Sequence, residues 1–305
     1  MTSTTDAVDG RTRHYGDFYG LGEPEGDGDV TLVVGNCQAE SLRLVLDGGG
    51  LRTVRTPAVH EIVASDLPHL QRWLGRSQVL ITQLVRDDYH GLPIGARQLA
   101  AHLPAGGRVV RIPVIRFAGL YPGHAIVRPP SDPSLTPPLV AYHDLRVLAE
   151  AAGLTAPAQV SPEAVRAIAS ESIDQLRRRE QAHETVLVSD LFARPRFEQM
   201  RTLNHPGNAV WSALAERVGD AVGLSDPVPP LTRELLTSVH APREAVVAQT
   251  WGLDDEPTQD WVVEGETVTA ARVREEHLAW YASRPDAVSA GLARHATALA
   301  TLGVR

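Results

Sequence analysis

The stretch Val33-Val34-Gly35-Asn36-Cys37-Gln38-Ala39-Glu40-Ser41-Leu42 decides the fold. Ahead of it, residues 30–34 are a short apolar run with the length of a buried strand. Behind it, residues 38–47 read as a helix, with Leu42, Val45 and Leu46 at core spacing, and Gly48-Gly49-Gly50 stops it. Cys37 therefore falls at a strand-to-helix turn. The free backbone N–H groups of the first helical turn face whatever Cys37 holds. The positive end of the helix favours a thiolate over a thiol. Gly35 lets the chain turn sharply, and Asn36 is a good cap and a side-chain donor. Cys37 is the only cysteine in 305 residues. A lone cysteine is more often a small core thiol. The Gly-Asn and Gln flanks and the strand–turn–helix setting point instead to a nucleophile.

Outward from this turn, short apolar runs alternate with helical segments up to residue 114. Strands are expected at 30–34, 53–59, 79–82 and 109–115, and helices at 62–74 and 94–103. That alternation predicts an α/β fold, a parallel sheet with flanking helices in three layers. Ligands of such sheets bind at the carboxyl ends of the strands. Cys37 follows strand one, Gln83 strand three and Arg116 strand four, so the three are expected to converge on one crevice.

Residues 1–28 are polar and Gly-rich and read as an irregular N-terminal arm, which Tyr15, Phe18 and Tyr19 would pin to the body. Residues 116–139 form a long Pro- and Gly-rich loop with Tyr121 and His124 as its polar features. Helices are expected at 139–152 and from Ser161-Pro162-Glu163 to about 181, and a short strand at 186–188 before Ser189-Asp190. The charged run Arg177-Arg178-Arg179-Glu180 is a solvated face or an anion contact. In Thr202-Leu203-Asn204-His205-Pro206-Gly207-Asn208, Pro206 and Asn208 suit a helix start, with Val210, Leu214 and Val218 on its apolar face. His205 then sits on a loop just ahead of that helix. The expected organisation is an arm (1–28), an α/β catalytic domain (29–225) and a helical C-terminal cap (226–305). In the cap, helices are expected at 231–239, 270–282 and 287–302, and a small hairpin around Gly265.

Composition narrows the function classes. A net charge of −8 makes nucleic acid an improbable partner. One cysteine excludes an intramolecular disulfide and a multi-cysteine metal site, and fits a reducing cytoplasm. No apolar run approaches the roughly 18 residues of a membrane span, and no signal peptide is evident at the N-terminus. Despite 12 histidines, no metal-binding spacing such as HExxH is present, so no metal is expected. A dinucleotide-binding glycine motif and a Walker A loop are absent.

Nucleophilic catalysis needs an activated nucleophile, a base and donors for the oxyanion. Cys37 is the candidate nucleophile and His205 the candidate base. The N–H groups near Cys37 and Gln38, with the side chain of Gln83 or Asn36, are candidate oxyanion donors. Asn204, Asp190 and Thr202 are candidates to orient His205.

With these residues in hand, the chain resembles the WcbI-type family of capsule polysaccharide acetyltransferases. The turn Gly35-Asn36-Cys37-Gln38 matches that family's opening motif. Gln83, the segment from Arg111-Ile112-Pro113 to Gly119-Leu120-Tyr121-Pro122, Arg179-Glu180 and the stretch from Thr202 to Asn208 follow in order. The family's layout is similar to SGNH (GDSL-type) hydrolases, with Cys37 in place of the nucleophilic Ser, His205 at the His position and Gln83 near the Asn donor. Where those hydrolases carry an Asp three residues before the His, this chain has Thr202. The resemblance implies coenzyme A as acyl donor and a sugar hydroxyl as acceptor. Arg116, Tyr121, His124, Arg179 and Asn208 are candidate substrate contacts.

The leading expectation is a cytoplasmic acyltransferase that takes an acyl group from coenzyme A, or from an acyl carrier protein, to a glycan or small-molecule acceptor. The alternatives are a thioesterase or esterase using the same residues, and a non-catalytic module that holds coenzyme A or a glycan with Cys37 buried. Homo-oligomerisation is compatible with all three.

Overall fold

The computed structural model describes residues 9–22 and 30–305; the rest of the expected N-terminal arm lies outside the described residues. The chain forms two compact units. One comprises residues 1–114, 179–187 and 211–233, the other residues 115–178, 188–210 and 234–305.

The first unit opens with two short helices, α1 (Gly10–His14) and α2 (Gly16–Tyr19), where an irregular arm was expected. The aromatic residues do pin it. Phe18 is fully buried in the same core cluster as Trp73, whose Nε1–H donates to the Phe18 carbonyl at 3.0 Å. Asp66 is 1% exposed and accepts from both terminal nitrogens of Arg11 (3.0 and 2.8 Å) and from the Tyr19 hydroxyl (2.7 Å). Burial works against its charge, but these donors and the Val63 N–H outweigh it and hold the carboxyl below its ordinary range.

The sheet follows: β1 (Val30–Val34), α3 (Cys37–Gly48), β2 (Thr53–Val54), α4 (Leu67–Leu74), β3 (Ser77–Gln83), α5 (Ala96–Ala100) and β4 (Arg108–Ile112). All four strands are parallel, in the order β2-β1-β3-β4. Every residue of β1 is buried, as a strand flanked on both edges requires. Helix α3 buries Ala39, Leu42, Val45 and Leu46, the stripe that its spacing predicts.

Several bounds differ from expectation. The second strand pairs over only two residues, and a 3-10 turn, Ala64–Asp66, precedes α4 where one helix was expected. Residues 186–188 form no strand; the Val186 N–H makes a single ladder-like bond to the Arg111 carbonyl.

The chain from residue 115 on carries β5 (His124–Ala125), β6 (His143–Asp144), α6 (Leu145–Ala151), α7 (Pro162–His183), β7 (Met200–Thr202), β8 (His205–Pro206), α8 (Asn208–Val222), β9 (Val239–His240), α9 (Ala245–Trp251), β10 (Trp261–Val263), β11 (Glu266–Val268), α10 (Ala270–Ala282), α11 (Pro285–Arg294) and α12 (Ala296–Thr301); the end of α7 and all of α8 after Val210 belong to the first unit, the rest to the second. Helix α7 begins and ends within three residues of its expected bounds, and α8 begins at the expected Asn208. The helix expected over 139–152 is confined to α6, because Leu139 takes φ +67° directly after Pro137-Pro138. The helix expected at 231–239 does not form: Leu236 takes φ +53° and the segment ends in β9. Residues 226–305 are therefore not wholly helical. They include an antiparallel sheet of order β11-β10-β9, built on the hairpin expected around Gly265.

Candidate active site

Five candidate residues meet at the carboxyl ends of β1 and β3, which are neighbours in register from Val34 opposite Thr82. Gly35 is required there by close approach. A Cβ on it would lie 2.5 Å from Gln83 Oε1 and 2.9 Å from the Ala39 Cβ. The Asn36 N–H uses that proximity, donating to Gln83 Oε1 at 2.9 Å. Asn36 caps α3 as expected, its Oδ1 accepting from the Gln38 N–H at 2.9 Å. Gln83 Nε2 donates to Gln38 Oε1 at 3.3 Å. Gln38 and Gln83 are each 2% exposed. Gln83 is thus a brace that fixes the turn from below, bonded at both ends of its amide. That engagement leaves backbone N–H groups as the better oxyanion donors.

Cys37 is the first residue of α3, and its surface is open to solvent. The protein packed around the thiol still limits its hydration. That burial is the largest influence and pushes the thiol above its ordinary value of 9.0, with a further push from Glu61. The N–H groups of Gln38 and Cys37 itself pull the other way and do not prevail. The thiolate expected from the helix terminus is therefore not the resting form, because desolvation outweighs the helix end.

The second unit holds the histidine. His205 sits in the tight hairpin of β7 and β8, not on a free loop, with Thr202 as its cross-strand partner. Gly207 makes the exit from the hairpin possible: a Cβ there would fall 2.0 Å from the Glu198 carbonyl oxygen. Asn208 begins α8, and its Oδ1 accepts from the Leu235 N–H at 3.1 Å.

Thr202 and Asn204 grip Tyr142. The Thr202 hydroxyl donates to the Tyr142 oxygen at 2.9 Å, and the Tyr142 hydroxyl donates to Asn204 Oδ1 at 2.7 Å. The Tyr142 ring stands edge-on to His205, centroids 5.9 Å apart. Asp190 is exposed on the 3-10 turn Ser189–Ala193. Burial first, then the positive charges of Arg201 and His240, lower His205 to about 4. His205 is consequently a neutral imidazole at pH 7, and its Nδ1 is buried without a hydrogen-bond partner among the described residues.

Two other candidates in this unit, Tyr121 and His124, pack against aromatic rings. Tyr121 is buried, and its hydroxyl donates to the Met200 carbonyl at 2.8 Å. His124 stacks on Tyr121 and on Trp261, at 5.8 and 4.9 Å between centroids, and burial lowers its pKa. Arg116 lines a cavity of about 340 Å³ with Ser172, Arg294 and His295. Arg179, a residue of the first unit, lies in the last turns of α7, half-buried, beside the buried Glu180. Among the described residues no group of three or more metal-ligating side chains forms. Tyr142, Arg201 and His240 escape a reading of the sequence. Tyr142 and His240 are more than 30 residues from His205 and Arg201 stands just ahead of the Thr202–Asn208 stretch; spatial pairing, not spacing, gives them their part.

The parallel sheet, its flanking helices and the strand-to-helix turn at Cys37 define an α/β protein of the open-sheet class. The model of the family described as polysaccharide biosynthesis enzyme WcbI matches residues 30–227, well over half of the chain. The chain belongs to that family of polysaccharide biosynthesis enzymes. A solved WcbI structure shares the fold at a TM-score of 0.74 and 17% sequence identity, covering 90% of this chain and 99% of the other. That protein is described as a novel polysaccharide biosynthesis enzyme, in its native form without a disulfide bond between coenzyme A and one of its cysteines. No curated protein matches the chain. No helix among the described residues is long and apolar enough to cross a membrane.

Proposed function

We propose that this chain moves an acyl group from coenzyme A, or from a carrier-protein thioester, to a hydroxyl or amine of a sugar or natural-product acceptor. Cys37 is the nucleophile and His205 the general base. The observation that carries the reading is the turn at Cys37: the chain's one thiol, open to solvent, on the first residue of a helix whose entry is braced by Asn36 and Gln83. The solved relative's description couples coenzyme A with a cysteine, which supports a thioester donor meeting Cys37.

The chemistry follows from the protonation states. A raised thiol and a lowered imidazole leave both groups neutral at rest, so no thiolate–imidazolium pair accumulates. The thiol proton leaves as Sγ attacks the acyl carbon, with His205 as its acceptor. The backbone N–H of Cys37 stabilises the oxyanion. The bond from the acyl carbon to the coenzyme sulfur breaks, and the coenzyme thiolate takes the proton. The acceptor hydroxyl then gives its proton to His205 and attacks the Cys37 thioester, and the Cys37 thiolate leaves and is reprotonated.

The test follows release of free coenzyme A thiol from acetyl-coenzyme A, with and without a panel of sugars, while the acyl product is identified by mass. Acceptor-dependent release with an acylated sugar is the expected result. Release of free acetate without any acceptor would make the chain a hydrolase. No release, together with failure of Cys37 to react with iodoacetamide, would leave a binding module.

A further inference from the structure

A cavity of about 650 Å³ in the second unit lies beside the base, and the activity proposed above leaves it unused. Its size falls inside the roughly 300–1,000 Å³ typical of small-molecule sites. Asp144 and Glu244 share the guanidinium of Arg146 on its wall. Arg146 Nε and its terminal nitrogen donate to the Asp144 carboxylate at 3.0 and 2.7 Å, and the two terminal nitrogens donate to Glu244 at 3.3 and 3.0 Å. Burial opposes charge on both Asp144 and Arg146, yet the pair holds Asp144 below and Arg146 above its ordinary value.

The lining has no surplus charge to offer. Arg243 also lines the cavity and pairs with Asp255 at 3.1 Å; Arg274, the third guanidinium, pairs with Glu150. Each cation on the wall already holds a carboxylate, so an anion gains little there, and the shared Arg146 likewise spends Asp144 and Glu244 against an amine. What remains is hydrogen-bonding capacity of both signs. The carboxylates keep acceptor positions, since each can accept about four bonds. Gln159, Gln249 and Gln259 offer amides that donate and accept. Tyr142 and Trp261, stacked at 6.0 Å between centroids, supply an aromatic side to the same wall. Mixed donors and acceptors, balanced charge and an aromatic surface suit a neutral ligand bearing several hydroxyls and an apolar C–H face.

We infer that this cavity, built on the Asp144–Arg146–Glu244 network and the glutamine amides, is the binding site for a neutral sugar. Tyr142 connects it to the base: one residue lines the cavity, packs edge-on to His205 and is gripped by Thr202 and Asn204 of the same hairpin. Naming the bound sugar as the acyl acceptor rests on the transfer reading above; the binding itself does not.

Saturation-transfer NMR on the full chain, without coenzyme A, tests the site. The probes are glucose, galactose, mannose, rhamnose and N-acetylglucosamine, with inorganic phosphate and glucosamine as charged comparators in competition. Gln159 and Gln249 have solvent-exposed side chains, so Gln159→Ala and Gln249→Ala keep the fold intact. At least one neutral sugar is expected to bind, about fivefold more weakly in each variant, the net worth of a lost hydrogen bond. It is expected to bind unchanged in Cys37→Ala. Absence of binding by every neutral sugar, displacement by phosphate or glucosamine, or indifference to both substitutions would overturn the site. Sugar binding without acyl transfer would overturn the transfer reading and leave this one standing.

Discussion

Replacing Gly35 by alanine sets a methyl carbon 2.5 Å from Gln83 Oε1 and 2.9 Å from the Ala39 Cβ. Neither contact survives without movement. The Ala39 Cβ is carried by the helix, so the Gln83 amide must swing away. It then abandons the Asn36 N–H it accepts from at 2.9 Å and the Gln38 oxygen it donates to at 3.3 Å. Overpacking costs about 1–3 kcal/mol, and a buried donor left without a partner about 1–3 kcal/mol. The two losses share one amide and do not fully add, so about 3 kcal/mol is expected. Urea unfolding followed by tryptophan fluorescence reads the loss. Gly35→Ala combined with Gln83→Ala removes the colliding amide and should recover part of it, with a coupling of at least about 1 kcal/mol. A Gly35→Ala loss below about 0.5 kcal/mol, or strictly additive losses in the pair, would refute the claim that Gln83 braces the turn.

Because burial raises the Cys37 thiol above 9.0, its alkylation rate by iodoacetamide should climb about tenfold per pH unit from 7 to 9 without a plateau, and a plateau near pH 7 would show an activated thiolate. Tyr142→Phe removes the hydroxyl held between Thr202 and Asn204; a loss of about 1–2 kcal/mol in thermal unfolding is expected, with kcat for transfer falling while donor binding, measured by titration, stays. His143 is completely buried, and burial, then His277, lowers it from 6.5 to about 3. Its stabilisation is therefore whole above pH 6.5 and is lost as pH falls from 6.5 toward 3, on the order of 5 kcal/mol over the full span. His143→Gln should flatten the acid limb of the stability profile, and an unchanged limb would exclude His143 as its source. Asp66→Asn should release α1 and α2, seen as faster tryptic cleavage after Arg11 and Arg13 with the sheet still folded.

The first half of the fold was legible because its signals are local. An unbroken apolar run, a glycine, a cap and a 3.6-period stripe specify β1, the turn and α3 within twenty residues, and β3 and β4 repeat the pattern. The expected α7 and α8 were legible for the same reason, through Ser161-Pro162 and Pro206-Gly207-Asn208. Where backbone conformation depended on distant partners, local pattern misled. Residues 139–144 carry the composition of a helix start, but Leu139 is turned by the prolines before it and His143 is drawn into a strand with Ala125. The hairpin of β10 and β11 was expected around Gly265, but β9 was read as helix because its two residues are too short for period-two alternation to register.

The candidate site divides the same way. Asn36 as a cap follows from its neighbours, whereas the bracing by Gln83 depends on strand order. The protonation states of Cys37 and His205 depend on packing that no spacing encodes. The Asp144–Arg146–Glu244 network joins positions almost a hundred residues apart and had no sequence signal.

The central claim is that Cys37 carries the acyl group. Intact-protein mass spectrometry after mixing with acetyl-coenzyme A tests it most directly. A mass increase of one acetyl group on the wild-type chain, absent from Cys37→Ala and discharged on adding an acceptor sugar, is the predicted result. An adduct that persists in Cys37→Ala, or turnover to acylated sugar by that variant, would contradict it.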